Sequence, residues 1–165
     1  MERNISRNAW LGVSIAVLTV ILPFTAFAQD EAVTNLRMQA LRATAAEPSV
    51  YELSFYAGDT LATDAELVLD FPAAFELEQL HLASSMQIKG GFEVIREHQT
   101  AIVRRFGLGP SIPPGQRLTI RLGVIGNPAK LNATHEIGIR LRTSAEAELS
   151  EKTKVRVEFQ QSTNS

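Results

Sequence analysis

Apolar and polar residues alternate with a period of two in a series of short segments along this chain. Such alternation points successive side chains to opposite faces of an extended strand, so it predicts strands with one buried and one wet face. The segments are VYELSFYA, AELVLDF, FEVIREH, TAIVRRF, RLTIRLGV, HEIGIRLRT and KVRVEF. Proline and glycine punctuate them: Pro72 ends one strand and Gly90-Gly91 opens another, as turns require.

Two other segments have a less regular pattern. In NLRMQALRATAAE, Leu36, Met38 and Ala40 alternate as in a strand, whereas Leu36, Ala40 and Ala43 also have helical spacing. We favour a first strand here. The segment AAFELEQLHLASS fits a strand or a short helical turn equally well, and both interpretations stay open.

Seven to nine short strands without a long amphipathic helix predict an all-β chain. The pattern is typical of antiparallel sheets in a sandwich or a barrel, with Leu118, Ile120 and Leu122 in its core. A single domain of residues 29–160 has enough apolar residues for a core without disulfides. The polar tail, 161–165, is expected to be disordered.

The N-terminal residues have the three parts of a secretory signal peptide. Arg3 and Arg7 precede an apolar stretch at 9–22, and Ala26-Phe27-Ala28 follows as a cleavage site. We expect residues 1–28 to form a signal-peptide helix that is cleaved after Ala28. The protein would then be periplasmic or extracellular, and would meet the membrane only transiently. The alternative is an uncleaved anchor, because a membrane span needs about 20 apolar residues.

Composition narrows the function classes. The chain has no cysteine, which excludes thiolate metal sites and cysteine nucleophiles. Without the leader it carries 14 basic and 17 acidic residues, so no global charge favours nucleic acid. Trp10 is the single tryptophan and belongs to the leader, so the mature domain has none.

The residues considered for catalysis or metal binding are three histidines and two carboxylate pairs: His81, His98, His135, Asp59 with Asp64, and Glu76 with Glu78. The histidines lack metal-ligand spacing and are interpreted as exposed or edge residues. The turn with the two aspartates lacks the ligand pattern of an EF-hand loop. No serine-hydrolase or phosphate-loop motif is present. We predict no catalytic, cofactor or metal site, and a small hydrolase stays a minor alternative.

Arginines recur at the polar positions of the late strands. If the apolar positions face the core, five arginines face outward: Arg117, Arg121, Arg140, Arg142 and Arg156. The outward residues of earlier strands are acidic: Glu52, Glu66 and Asp70. Were these groups on different sheets, the sandwich would have one basic and one acidic face. The arginines are therefore a candidate interaction face for another envelope protein or an anionic surface component. The alternative is a solvated face without a partner.

Aromatic residues bear on a second binding hypothesis. Sugar-binding modules stack sugars on exposed aromatic rings, and Tyr56 is the single tyrosine expected on an outer face. Tyr51 shares its face with Leu53 and Phe55 and is expected in the core. Tyr56 is thus a candidate for glycan stacking, which makes a carbohydrate-binding module one alternative function. A fibre or pilus subunit that exchanges strands is another.

Three strands and the turn residues that bound them carry a family resemblance: LVLDFPAAFEL, IPPGQRLTIRLGVIGNP and EIGIRLRTS. The pattern resembles immunoglobulin-like domains of exported bacterial proteins with no assigned activity, over residues 36–159. The resemblance implies an immunoglobulin-like antiparallel β-sandwich of about seven to nine strands, and it carries over no catalytic residues. The sequence therefore predicts an exported, non-catalytic domain that acts by binding or assembly, without a cofactor and without binding nucleic acid.

Overall fold

A computed structural model describes residues 33–143 and 152–159. In these two ranges the chain forms nine strands: β1 (Val33–Ala40), β2 (Pro48–Ala57), β3 (Ala65–Asp70), β4 (Leu82–Ser84), β5 (Phe92–Glu97), β6 (Thr100–Arg105), β7 (Arg117–Gly126), β8 (Glu136–Thr143) and β9 (Thr153–Phe159). The same ranges contain no helix that is long and apolar enough to cross a membrane. The predicted signal peptide and polar tail lie outside the described residues.

The strands form two layers that share β9. The first sheet has the order β4-β7-β2-β1-β9, and the second has the order β9-β8-β3-β6-β5. β4 and β5, at the two ends of this order, also contact each other. The predicted all-β sandwich is confirmed by this topology.

The pairing of β9 differs from the expected all-antiparallel arrangement. Val157 and Phe159 lie opposite Met38 and Ala40 of β1, and these two strands run parallel. The preceding residues of β9 pair antiparallel with β8, from Glu136↔Arg156 to Ile139↔Thr153. β9 therefore passes from one sheet to the other and joins the two layers, which no local pattern of alternation reveals.

The inward faces of the two sheets form one apolar core. Leu118, Ile120 and Leu122 of β7 are at most 3% exposed, as their alternation predicts. From the opposite sheet, residues such as Leu69 and Ile139 are fully buried in the same cluster. Each such side chain contributes about 1.5–3 kcal/mol relative to an exposed one.

The centre of the outer face of the second sheet is buried, although the alternation predicts that it is exposed to solvent. All of β3 from Ala65 to Leu69 is buried, and Glu66, predicted to face water, is 0% exposed. Val68 is 1% exposed on the same side as Glu66. β3 lies between β8 and β6 in the middle of the sheet, where long side chains of the neighbouring strands cover it.

The first ambiguous segment forms β1 over residues 33–40, so the strand interpretation is correct. The second contributes only β4, Leu82–Ser84, preceded by turns over residues 72–81. Phe75, Leu77 and Leu80 of these turns are buried in the core. Their spacing is that of neither a strand nor a regular helix, because the irregular backbone of the turns determines which side chains point inward.

One end of the sandwich is formed by the loops 58–64, 85–91 and 106–116, which we call the loop end. Arg105 is buried there, and its guanidinium donates hydrogen bonds to the carbonyl oxygens of Leu61, Ala62 and Pro110. Burial lowers the pKa of this arginine, while the charge of Asp64 acts the other way. The arginine thus ties two loops together through their backbones.

Candidate functional site

The five predicted arginines do not form one continuous face. Arg117 and Arg121 lie on β7 in the first sheet, whereas Arg140 and Arg142 lie on β8 in the second. Arg156 lies on β9, next to Glu136 of β8. The structure therefore divides the set between the outer faces of opposite layers.

Acidic residues of neighbouring strands stand beside these arginines. In the first sheet, Arg121 Nε lies 3.1 Å from Glu52 Oε2. In the second sheet, Arg142 Nε lies 2.7 Å from Glu66 Oε2. The expected separation into one basic and one acidic face is therefore wrong. The oppositely charged residues of each pair belong to strands that are far apart in the chain but adjacent in a sheet.

Glu66 is the most enclosed charge in the described residues. Its other carboxylate oxygen, Oε1, accepts a hydrogen bond from Arg104 Nε at 2.5 Å, and Arg104 Nη1 lies 3.3 Å from Glu93. Burial acts to raise the pKa of Glu66, but the hydrogen bonds and charges of Arg104 and Arg142 outweigh it and hold the pKa below its usual value. The row Glu93–Arg104–Glu66–Arg142 is a structural ion network rather than an open site.

A concave site lies on the outer face of the first sheet, where β4 leaves β7. It has a volume of about 340 Å³. Its lining residues define what we call the outer groove: Glu52, Ser84, Ser85, Met86, Gln87, Thr119 and Arg121. Two features make this groove the candidate binding site: its floor is carried on rigid strands, and its wall is a loop that adds side chains above the sheet.

The floor of the outer groove contains the Arg121–Glu52 ion pair. The Arg121 side chain is 59% exposed and that of Glu52 is 22% exposed, so the pair is reachable from solvent. Gln39 Nε2 donates a long hydrogen bond of 3.4 Å to the other oxygen of Glu52. The floor therefore offers a guanidinium donor beside a carboxylate acceptor, already oriented by the neighbouring strands.

The wall of the outer groove is the segment after β4. Ser85 Oγ donates to Gln87 Oε1 at 3.1 Å and accepts from the backbone N–H of Ile88. Met86 projects outward and is 96% exposed. On the same outer face Leu82, opposite Gly123, is 73% exposed. These two apolar side chains contribute little to the core and are accessible to a ligand.

Tyr56 and Arg117 continue the groove along the same face. They lie opposite each other on β2 and β7, two residues beyond the pair Ser54↔Thr119. Tyr56 is 36% exposed, in agreement with its predicted outer position. The side chain of Arg117 makes no hydrogen bond or ion pair with another described residue. Tyr56, Arg117 and Arg121, all singled out by the sequence, thus border one site.

A wider cleft of about 810 Å³ lies at the end of the sandwich opposite the loop end, between residues 73–78 and the β5–β6 turn. Arg96 lines it, but its Nη1 donates to the carbonyl oxygens of Leu77 and Glu78 and so holds the cleft wall together. His98, at the turn, is exposed with a φ of 56°. Arg96 therefore serves the loop conformation, and the cleft is open rather than enclosing.

His81 is exposed, whereas His135 is a structural residue. His135 is 9% exposed, not an edge residue as expected, and its ring packs edge-on against Phe75 and Phe159. Its Nε2 lies 2.7 Å from the carbonyl oxygen of Lys130. Across residues 33–143 and 152–159, histidines and carboxylates form no group of three that could hold a metal ion.

Sequence reasoning missed the wall of the outer groove. Ser84, Ser85, Met86 and Gln87 follow a strand of three residues, too short for alternation to be visible. The available signal was the exposed methionine in a polar segment, SSMQ, between two apolar runs. That signal indicates a loop but does not tell which face the loop borders.

No protein-family model and no curated protein sequence matches this chain. Among solved structures it is similar to a cohesin module of a family 33 glycoside hydrolase from Clostridium perfringens, with 14% identity, a TM-score of 0.46, and coverage of 76% of this chain and 98% of that one. A non-cellulosomal cohesin from Archaeoglobus fulgidus has 14% identity, a TM-score of 0.41 and coverages of 74% and 91%.

The N-terminal domain of a Streptococcus gordonii adhesin has 14% identity and a TM-score of 0.46, and the match covers 78% of this chain and 34% of that one. At such identities these are likenesses of β-sandwich architecture only. The fold assignment rests on the strand order and core described above.

Proposed function

We propose that this protein is an exported, non-catalytic β-sandwich domain that binds a component of the cell envelope or cell surface through its outer groove. The observation that carries the proposal is the groove itself. Its floor is fixed by three paired strands, and Met86 and Leu82 stand exposed at its border without contributing to the core. Polar strand residues backed by a packed core are a suitable platform for recognition.

Binding, rather than catalysis, fits the chemistry of the groove. The charged pair Arg121–Glu52 is half-exposed and mutually neutralised, and the other polar groups are hydroxyls and an amide. Such groups orient a ligand by hydrogen bonds. The predicted leader, residues 1–28, would bring the domain to the periplasm or the cell surface, where the partner is expected.

The test is co-sedimentation of the purified mature protein with isolated cell envelopes. We expect saturable binding, which Thr119→Trp abolishes because an indole on β7 fills the groove floor. Tryptophan is well tolerated on strand surfaces, so this variant should keep its fold. Arg156→Trp, on the outer face of the second sheet, is the matched control and should bind like the wild type.

Two results would contradict the proposal. One is the absence of saturable binding to envelopes. The other is equal binding by wild type and Thr119→Trp when circular dichroism and thermal melting show that both are folded, since the groove would then have no part in binding.

A further inference from the structure

The outer groove is longer than its enclosed part. Three outward rows cross β2 and β7 in register: Glu52↔Arg121, Ser54↔Thr119 and Tyr56↔Arg117. Same-face residues of a strand are about 6.6 Å apart, so the rows together span about 13 Å. The groove and this extension form one linear surface, which suits an elongated ligand rather than a compact one.

The charge along this surface is unbalanced at one end. Arg121 forms an ion pair with Glu52, with 3.1 Å between Nε and Oε2. Arg117 faces Tyr56 across the strand pair and, among the described residues, has no acidic partner. A guanidinium with its donors open to solvent is suited to a planar carboxylate, which it binds with two parallel hydrogen bonds. The surface is therefore complementary to a ligand that places an anionic group over Arg117.

Next to that cation lies an accessible aromatic ring. Tyr56 is 36% exposed, and the other outward residues in the three rows of β2 and β7 are polar or charged. The electron-rich face of a phenol ring attracts the weakly positive C–H groups on one side of a sugar ring. Further along, Thr119, Ser84 and Ser85 present hydroxyls, while Arg121 and Glu52 place a donor beside an acceptor. Adjacent donor and acceptor groups match the neighbouring hydroxyls of a sugar.

We propose that the outer groove, extended by Tyr56 and Arg117, binds an acidic oligosaccharide, meaning a sugar chain whose units carry carboxylates. This inference rests on the proposed function and names the class of its ligand. An acidic polypeptide is the competing occupant. Protein interfaces are centred on desolvated apolar and aromatic side chains, whereas the floor here is polar and Met86 is the apolar lining residue.

The ligands for the test are short oligomers of polygalacturonate, alginate and hyaluronate, measured by titration calorimetry with the mature protein. The control ligands are the same oligomers with their carboxylates reduced to alcohols. We expect at least one acidic oligomer to bind about tenfold more tightly than its reduced form, because a charge-assisted contact is lost.

The variants separate charge from stacking. Arg117→Gln should weaken binding of the acidic oligomer about tenfold and leave the reduced form unaffected. Tyr56→Leu should weaken both forms, and Tyr56→Phe, which keeps the ring, should weaken neither. Arg156→Gln is the matched control: it removes an exposed arginine whose side chain makes no hydrogen bond or ion pair within the described residues, at a position where β9 pairs with β8 and away from the groove, and it should change nothing.

The inference is overturned if none of the three acidic oligomers binds more tightly than its reduced form. It is overturned too if Arg156→Gln has the same effect as Arg117→Gln, or if polyglutamate displaces the bound sugar at equal concentration. In each of these cases, loss of envelope binding in Thr119→Trp would still support the outer groove as a binding site, so the two proposals fail separately.

Discussion

At the scale of single residues, Tyr51 shows how a core aromatic also organises a loop. It is fully buried, and its hydroxyl donates a 2.5 Å hydrogen bond to Asn127 Oδ1. The amide nitrogen of Asn127 donates to the carbonyl oxygens of Arg42 and Thr44, at 2.9 and 2.7 Å. The Asn-Pro pair that ends β7 therefore fixes the β1–β2 loop, in addition to stopping the strand.

Replacing Tyr51 with phenylalanine tests this network. Tyr51→Phe leaves the buried Oδ1 of Asn127 without a donor, so we expect a loss of about 1–2 kcal/mol in the free energy of unfolding near neutral pH. Urea denaturation of the mature protein measures it. A stability equal to wild type would mean that the hydroxyl contributes nothing to folding.

The same substitution has a pH signature. Burial raises the pKa of Tyr51 above its unfolded value of about 10. A group whose pKa is raised on folding contributes stability below the unfolded pKa and loses it as pH rises through the folded pKa. Wild type should therefore lose more unfolding free energy than Tyr51→Phe between about pH 9 and 11.

At the scale of strands, charges are matched across the ladder rather than along the chain. Glu66 of β3 bonds Arg104 of β6 and Arg142 of β8, so three strands of the second sheet meet at one carboxylate. In the first sheet, Glu52 and Arg121 form a more exposed pair between β2 and β7. Strand order thus decides which arginines are structural and which are available to a ligand.

Glu66→Gln tests the structural role of the network. The amide cannot neutralise two guanidinium groups, but both of these are partly exposed, so we expect destabilisation of about 1.5–3 kcal/mol at pH 7. The exposed counterpart, Glu52→Gln, should cost about 1 kcal/mol or less. Equal effects of the two substitutions, measured by denaturant unfolding, would contradict the assigned roles.

Acid sensitivity provides a second readout for Glu66. Its pKa is lowered on folding, because the two arginines outweigh the effect of burial. Its contribution is therefore present above the unfolded pKa of about 4.3 and is lost as pH falls through the folded pKa. The stability difference between wild type and Glu66→Gln should shrink at low pH.

At the scale of the whole molecule, the two faces of the sandwich differ in kind. The second sheet is covered at its centre by the Glu66 network, whereas the first sheet carries a solvent-accessible groove. β1 begins at Val33, a few residues after the predicted cleavage site, so removal of the leader would leave all nine described strands intact.

Cleavage of the leader can be checked without any ligand. We expect the exported protein to begin at Gln29, as read by intact mass and N-terminal sequencing. Because Trp10 is the only tryptophan, the processed protein should show tyrosine emission alone. Tryptophan emission from purified exported protein, or a mass that includes residues 1–28, would favour the uncleaved anchor.

Alternation in the sequence determined most of the strands and most of their inward residues, such as Leu118, Ile120 and Leu122, because a period of two follows from the local geometry of an extended chain. It also placed Tyr56, Arg117 and Arg121 on an outer face. The tertiary structure alone decided that β9 joins both sheets, that Glu66 is buried, and that SSMQ walls a groove. These depend on which strands become neighbours, and that is decided by packing between residues far apart in the chain.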